Sequence, residues 1–339
     1  MSAYLQKHRG FTLVELLVST AILAIILLVI FSITQQTGRV WKSSQAKIES
    51  FQGARAAFES LTRKLGQATL NGYYDYFDAS GRTPRDPAYD GQPARYGRQS
   101  DLHFISGPGL LTNPSQISHA VFFQAPLGYA NSTAWSGLDG ALNAVGYYVA
   151  YNDDAATGGR PGFVSEALSP LKHRFRLMQF TQSLQDLNIF KTANATGTGW
   201  FTGGTAPAGN NASTRPLADN IIALVILPKK SAADDASETS LTTDYTFDSR
   251  TPWSGTTQPQ QMNQLPPILH VVMVALDEPS AQRVCVGDAA PDLGIPSLFH
   301  DPSKLDDDIA TLEGTLKSRN LNYQVFQADI GIRGAKWSQ

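Results

Sequence analysis

The sequence predicts an α+β protein in which one long N-terminal helix precedes a mainly antiparallel β domain. Three observations predict this class. An almost uninterrupted apolar run lies near the N-terminus, the periodicity changes from helical to strand-like beyond residue 70, and no regular helices alternate with the strand-like runs. The 339 residues, of which 42% are hydrophobic, are enough to build a sizeable core and exclude a chain that is disordered throughout.

The apolar run covers residues 11–33 and contains one charged side chain, Glu15. Because about 20 apolar residues cross a hydrocarbon core, we expect residues 11–33 to form a transmembrane helix. No A-x-A cleavage pattern follows the run, which argues against a removable secretory signal peptide. A carboxyl group inside a membrane costs several kcal/mol unless it is paired, so the sequence predicts a partner for Glu15.

The next segment, residues 34–70, is predicted to continue this helix in amphipathic form. Its apolar positions are spaced by three, four or seven residues and form one stripe that we expect to pack on the β domain. The stripe consists of Trp41, Ile48, Phe51, Ala54, Phe58, Leu61, Leu65 and Ala68. An ordinary amphipathic helix of a membrane-anchored domain would show the same pattern.

Residues 71–339 are predicted to form a β-rich head. Seven apolar or alternating runs, bounded by turn residues, indicate strands at Leu102–Ile105, Ala120–Gln124, Val145–Tyr151, Phe175–Phe180, Ile221–Leu227, Ile268–Leu276 and Tyr323–Ile332. One late helix is expected at about Leu305–Arg319. Three polar stretches, 71–100, 193–216 and 231–267, are predicted to be long loops.

The amino-acid composition makes some functions and sites improbable or impossible for this chain. The chain has 27 basic and 29 acidic side chains, and its net charge of −2 gives no field that would attract nucleic acid. Cys285 is the only cysteine, which excludes an intrachain disulfide and a cysteine-built zinc site.

The string Arg-Gly-Phe-Thr-Leu-Val-Glu-Leu-Leu-Val, residues 9–18, resembles the class III signal of type IV pilins and type II secretion pseudopilins. The resemblance implies that a prepilin peptidase recognises a leader of residues 1–10 through Lys7 and Arg9 and cuts after Gly10. It also implies that Phe11 becomes an N-methylated terminus. Glu15 would then meet the Phe11 amine of a neighbouring subunit, while Leu16 and Leu17 pack between subunits.

A weaker resemblance, based on the helix pattern, length and strand order, is to PilW-type minor pilins and J-type pseudopilins, whose heads have two sheets. The chain is also similar to the Verru_Chthon cassette protein C group, in a C-terminal strand that runs here from Ala328 to Trp337. These resemblances imply a non-catalytic structural subunit of a filament. They place it in the bacterial inner membrane as a single-pass protein, in contact with membrane lipid, with an extracytoplasmic head. The alternative is a membrane-anchored extracytoplasmic binding module or enzyme that uses the same export signal.

No motif for catalysis or for a cofactor was found. The six histidines show no metal-binding spacing, no serine lies in a Gly-x-Ser-x-Gly elbow, and Gly197–Gly199 lacks the flanking strand and helix of a phosphate-binding loop. Asp306 and Asp308 are weak candidates for calcium, because acidic side chains at the start of a helix also stabilise its positive end. The loop at 71–100 also carries aromatic side chains that could form a sticky or sugar-binding surface, although packing of the loop onto the sheet is the simpler expectation: Tyr73, Tyr74, Tyr76, Phe77, Tyr89 and Tyr96.

Overall fold

A computed structural model describes residues 13–112, 116–135, 137–138, 140–157, 160–161, 163–191, 194, 197–205, 213–237, 239–253 and 255–336. The chain forms two compact units, which meet between Glu49 and Ser50 in the sequence. The first unit contains the apolar segment, and the second unit, which starts at Ser50, contains all the β structure. Each unit is described by itself below.

The first helix, α1, spans Leu13–Leu65. It ends five residues before the predicted limit of 70, and a turn at Gly66 follows. In the second unit the predicted apolar stripe is confirmed, because Ala54, Leu61 and Leu65 are 2% exposed or less. Trp41, by contrast, is 70% exposed, so the predicted stripe is wrong at that position.

Two larger antiparallel sheets form most of the second unit. The six-stranded sheet has the order β7-β6-β5-β4-β3-β9 and the three-stranded sheet the order β11-β10-β8. Their strands are β3 (Ile105–Pro108), β4 (His119–Pro126), β5 (Leu142–Asn152), β6 (Arg174–Gln182), β7 (Thr214–Asp219), β8 (Ile221–Lys229), β9 (Phe247–Asp248), β10 (Ile268–Leu276) and β11 (Tyr323–Gly331). The sequence therefore predicted an antiparallel α+β fold correctly.

A separate hairpin of β1 (Tyr73–Phe77) and β2 (Arg95–Gln99) forms a third sheet, which the sequence analysis had treated as part of a loop. Gly97 on β2 lies directly against the Trp253 indole, where a Cβ atom would come within 2.5 Å of the ring. Phe77 packs edge-on against the same indole, with ring centroids 5.2 Å apart. Trp253, 156 residues further along the chain from Gly97, thus helps to hold the hairpin to the rest of the unit, together with Gln258 and Asn263, whose side chains hydrogen-bond to the Arg98 backbone.

Three shorter helices complete the fold: α2 (Gly199–Thr205), α3 (Glu278–Val284) and α4 (Leu305–Ser318). The predicted helix at 305–319 is confirmed as α4. Six of the seven predicted strands are also confirmed, but the first begins only at Ile105, so most of the predicted run 102–105 precedes it. The predicted loops contain elements that polar composition concealed: the hairpin at 73–99, α2 with the start of β7, and β9.

The core lies between the two larger sheets. One apolar cluster joins α1, β4, β5 and β6 to β8, β10 and α4, and β8 is buried on both faces. A second cluster on the other side of the six-stranded sheet is rich in aromatic rings, including Phe122, Phe180, Trp200 and Phe201. Because β8 is covered on both faces, its sequence is an unbroken apolar run rather than an alternating one.

Neighbouring tyrosines on β5 allow a test of this core. The Tyr147 hydroxyl is buried and has no hydrogen-bond partner, whereas the Tyr148 hydroxyl donates to the Thr205 carbonyl oxygen at 3.4 Å. Burying an unsatisfied hydroxyl costs about 1–3 kcal/mol, so Tyr147→Phe should raise the free energy of unfolding by about 1 kcal/mol. Urea unfolding of the full chain in detergent measures this change. Tyr148→Phe is the control and should be neutral or destabilising; a loss of stability in Tyr147→Phe would contradict the prediction.

Candidate assembly site

The first unit contains the helical segment Leu13–Gly38, whose mean hydropathy is 3.0. This segment is long and apolar enough to cross a membrane, and none of it is buried inside the protein. Side chains around its whole circumference are exposed, as at Leu28 (68%) and Phe31 (64%). A helix that is apolar on every side requires a nonaqueous environment, either lipid or the faces of similar helices.

Four hydroxyl groups within the segment are satisfied by the helix itself. The Ser19 and Thr20 hydroxyls donate to the Leu16 carbonyl oxygen at 3.0 Å, and Thr34 and Thr37 make the same kind of bond one turn back, at 2.8 and 2.9 Å. This internal bonding removes the cost of placing a polar group in hydrocarbon. Glu15 is the only charged residue between positions 13 and 38, so it is the group that distinguishes this segment from a plain anchor.

Glu15 lies in the first turn of α1, where a carboxylate interacts favourably with the positive end of the helix dipole. Leu16 and Leu17, which follow it, are 57% and 61% exposed. The predicted assembly residues Glu15, Leu16 and Leu17 are therefore all exposed at the start of the helix. The predicted processing and leader residues Lys7, Arg9, Gly10 and Phe11 lie outside the described residues.

Comparison with protein-family models gives a match to the prokaryotic N-terminal methylation motif over residues 5–31. Residues 5–31 are a prepilin-type signal. The match contains the leader junction, Glu15 and most of the apolar segment, and it ends before the second unit begins. A search of curated proteins gave no match to this chain. A prepilin-type signal followed by an apolar helix fits a membrane-anchored protein, and such signals imply processing by a prepilin peptidase and assembly with other pilin subunits.

In the second unit, one histidine and one carboxylate lie together with the chemistry of an active-site pair. His103 and Asp248 lie 2.7 Å apart through Nε2 and Oδ1, as in a general-base pair. The Trp200 indole, which can only donate, donates to His103 Nδ1 at 3.0 Å, so the proton of His103 is on Nε2. Both ring nitrogens are thus used, and burial lowers the pKa of His103. This arrangement is a neutral histidine hydrogen-bonded to a carboxylate and joins α2 to the sheet.

His119 is enclosed in a similar way. Its Nδ1 accepts from the Ile226 backbone N–H at 3.1 Å, and its Nε2 donates to the Phe299 carbonyl oxygen at 3.0 Å. Burial lowers the pKa of His119 to about 4, because the charged form would lose its hydration. Next to it, the Ser118 hydroxyl accepts from the Leu224 N–H at 2.8 Å. These two side chains therefore occupy the outer edge of β8.

The weak calcium candidates lie at the start of α4. Asp308 accepts the Phe299 N–H at 2.8 Å and so fixes the loop that precedes the helix. Asp306 is in the same first turn, where it faces the positive end of the helix dipole. Among the described residues, no group of three or more potential metal ligands lies close together. The geometry favours a role in helix stabilisation for both carboxylates.

Two further expectations are refined by the structure. Contrary to prediction, a helix does follow Gly197–Gly199, but α2 is short and its Trp200 and Phe201 are fully buried. Of the aromatic residues at 73–96, Phe77 is buried, while Tyr74, Tyr76 and Tyr96 are more than half exposed and lie in contact on the outer face of the hairpin. Cys285 is 7% exposed, and burial raises the pKa of its thiol.

Proposed function

We propose that this chain is a pilin-like or pseudopilin-like structural subunit, of the minor type, without catalytic activity of its own. The observation that carries the proposal is the prepilin-type signal at residues 5–31, which continues directly into an apolar helix. Both ring nitrogens of His103 and of His119 are used in structural hydrogen bonds, which supports a non-catalytic role. The filament or secretion machine that it serves is a separate question from this role.

In the proposed mechanism, the leader is removed after Gly10 while the apolar segment remains in the membrane. The new amino group of Phe11 then pairs with the Glu15 carboxylate of a neighbouring subunit. Opposite charges in a medium of low dielectric constant attract strongly, whereas either charge alone is costly. Exposed apolar side chains such as Leu16 and Leu17 become covered by adjacent helices as the subunit leaves the lipid. Assembly is thus driven by the pairing of charge and by close packing of helices.

Glu15→Ala is the decisive variant. We expect the leader to be removed as in the wild-type chain, because Glu15 lies beyond the cut, while incorporation into filaments falls about tenfold or more, since 1.4 kcal/mol corresponds to a factor of ten. The measurements are the N-terminal mass of the purified chain and its amount in the sheared filament fraction of the native host.

Ser19→Ala is the matched control, because it changes a polar group on the same helix that is bonded only internally. Its processing and incorporation should be unchanged. Normal incorporation of Glu15→Ala would contradict the proposal. Full activity of an unassembled Glu15→Ala protein would support the alternative, a membrane-anchored binding module or enzyme.

A further inference from the structure

Strand β11 is one edge of the three-stranded sheet, and among the described residues no strand pairs with its outer side. It is nine residues long and pairs with β10 from Tyr323 to Gly331 without a register shift. It contains no proline and no lysine, and its only charge is Asp329. A long regular edge without such features is a template for pairing with another strand.

The register shows which groups of β11 point outward. Leu224 and Ile226 of β8 direct their N–H groups to Ser118 and His119, away from β10. Since bonding direction alternates along antiparallel strands, their partners on β10, Met273 and Val271, bond to β11 instead.

Those two β10 residues pair with Phe326 and Ala328. The backbone groups of Val325, Gln327 and Asp329 therefore point away from the sheet. In agreement, the Val325 carbonyl oxygen accepts a hydrogen bond from the Gln324 side chain at 3.1 Å.

The other edges of the two larger sheets have features that hinder pairing with a further strand. On β7, Pro216 lacks an N–H group and a register shift interrupts the pairing with β6. β9 has only two residues. On β8, the Ser118 and His119 side chains accept the outward N–H groups of Leu224 and Ile226. These are the usual devices by which proteins prevent pairing at an edge. By contrast, β11 has nine residues, no proline and no register shift, and of its outward groups the Val325 carbonyl oxygen accepts a side-chain hydrogen bond, from Gln324.

We propose that β11 pairs with β11 of a second copy of this chain, antiparallel and centred on Gln327, to join two three-stranded sheets into one of six strands. A row of outward amide groups is satisfied best by another extended backbone, and a twofold axis brings the same strand of a second copy. This head-to-head contact is independent of the proposed function, which concerns the N-terminal helix.

Two criteria select the register of the β11–β11 pair: the distance between the two Asp329 carboxylates and the number of residues that pair. With Gln327 opposite itself, all nine residues pair, Val325 lies opposite Asp329, and the two carboxylates are separated by four residues along the strands, about 13 Å. Centring the pair on Asp329 would place two carboxylates opposite each other, which is destabilising. Centring it on Val325 would leave the end of each strand unpaired. The Gln327-centred register is therefore the favoured one.

Cysteine cross-linking tests this register in membranes that contain the full-length chain. In the proposed dimer the two Gln327 Cα atoms would lie about 5.5 Å apart, within the range of a disulfide. Gln327→Cys should form a cross-linked dimer on mild oxidation. Gln324→Cys is the matched control, because Gln324 is exposed on the same strand but would lie opposite Ile330, about 20 Å from its own copy. We expect at least about tenfold more dimer for position 327.

A second pair of variants tests the dimer by introducing a positive charge on β11. Gln327→Lys places two ammonium groups opposite each other and should lower the dimer fraction in analytical ultracentrifugation, whereas Gln324→Lys should leave it unchanged. Far-ultraviolet circular dichroism checks that both variants fold. Three results would overturn the proposal: no cross-link at a position 327 thiol that a maleimide still labels, equal cross-linking at 324 and 327, or a cross-link from 327 to a different protein.

Discussion

Gly146→Ala is expected to lower the free energy of unfolding of the second unit by roughly 3 kcal/mol, the upper part of the range for overpacked cores. Gly146 on β5 lies directly opposite Phe122 on β4. A Cβ atom at this position would overlap the Phe122 ring at Cδ1 and Cε1. The ring cannot move away, because its other face stacks on Phe201 with centroids 3.9 Å apart. Urea unfolding of the full chain, followed by tryptophan fluorescence, measures the loss.

Gly314→Ala is the matched control for this prediction. Gly314 is exposed within α4 and has no atom within 4 Å of its added Cβ, so alanine there should raise stability by about 0.5–1 kcal/mol through helix propensity. The same substitution, glycine to alanine, is thus expected to lower the free energy of unfolding at position 146 and to raise it at position 314. The double variant Gly146→Ala/Phe122→Leu should recover part of the loss, because it removes the ring that collides. If the double variant lost as much stability as the two single variants added together, the contact between residue 146 and the Phe122 ring would not be the cause of the loss.

Acidification from pH 6.5 to 4 should lower the free energy of unfolding by about 3 kcal/mol through His119 alone. The pKa of His119 is about 4 in the folded chain and about 6.5 when unfolded, so the unfolded state binds more protons between these values. Stability is therefore full above pH 6.5 and falls as the pH decreases. His103, whose pKa burial also lowers, acts in the same direction.

The pH dependence can be assigned with two variants. His119→Gln removes the titrating group and should flatten the decline between pH 6.5 and 4, leaving the parts that come from His103 and from carboxylates whose pKa is lowered in the folded chain, such as Asp248 and Glu278. Ser118→Ala removes the neighbouring bond to β8, which does not titrate in this range, and should lower stability by a similar amount at every pH. Urea midpoints measured across this pH range give both slopes. An unchanged slope in His119→Gln would contradict the assignment.

The sequence predicted the elements whose apolar side chains repeat over many residues. The long helix, the strands at β4, β5, β6, β8, β10 and β11, and α4 all have such patterns. The β1–β2 hairpin and β7 have no such pattern, and their polar and aromatic residues are typical of loops. The position of the hairpin depends on distant partners such as Trp253. A local pattern contains no information about such contacts.

The prepilin-type signal was predictable for a different reason. It is a short linear motif within residues 5–31 and needs no tertiary contact to be read from the sequence. In the second unit, the roles of His103 and His119 could not be predicted. Each depends on groups more than 90 residues away in the chain, Trp200 and Asp248 for one and Ile226 and Phe299 for the other.

The position of Cys285 has a practical consequence. Because this single thiol is covered in the folded state and its ionisation is suppressed by burial, it reacts with alkylating reagents mainly when the surrounding structure opens. Labelling kinetics of the unmodified chain therefore report how often this part of the molecule opens under native conditions, without a dye or an engineered probe. Such a measurement can be made while the chain remains in its own membrane.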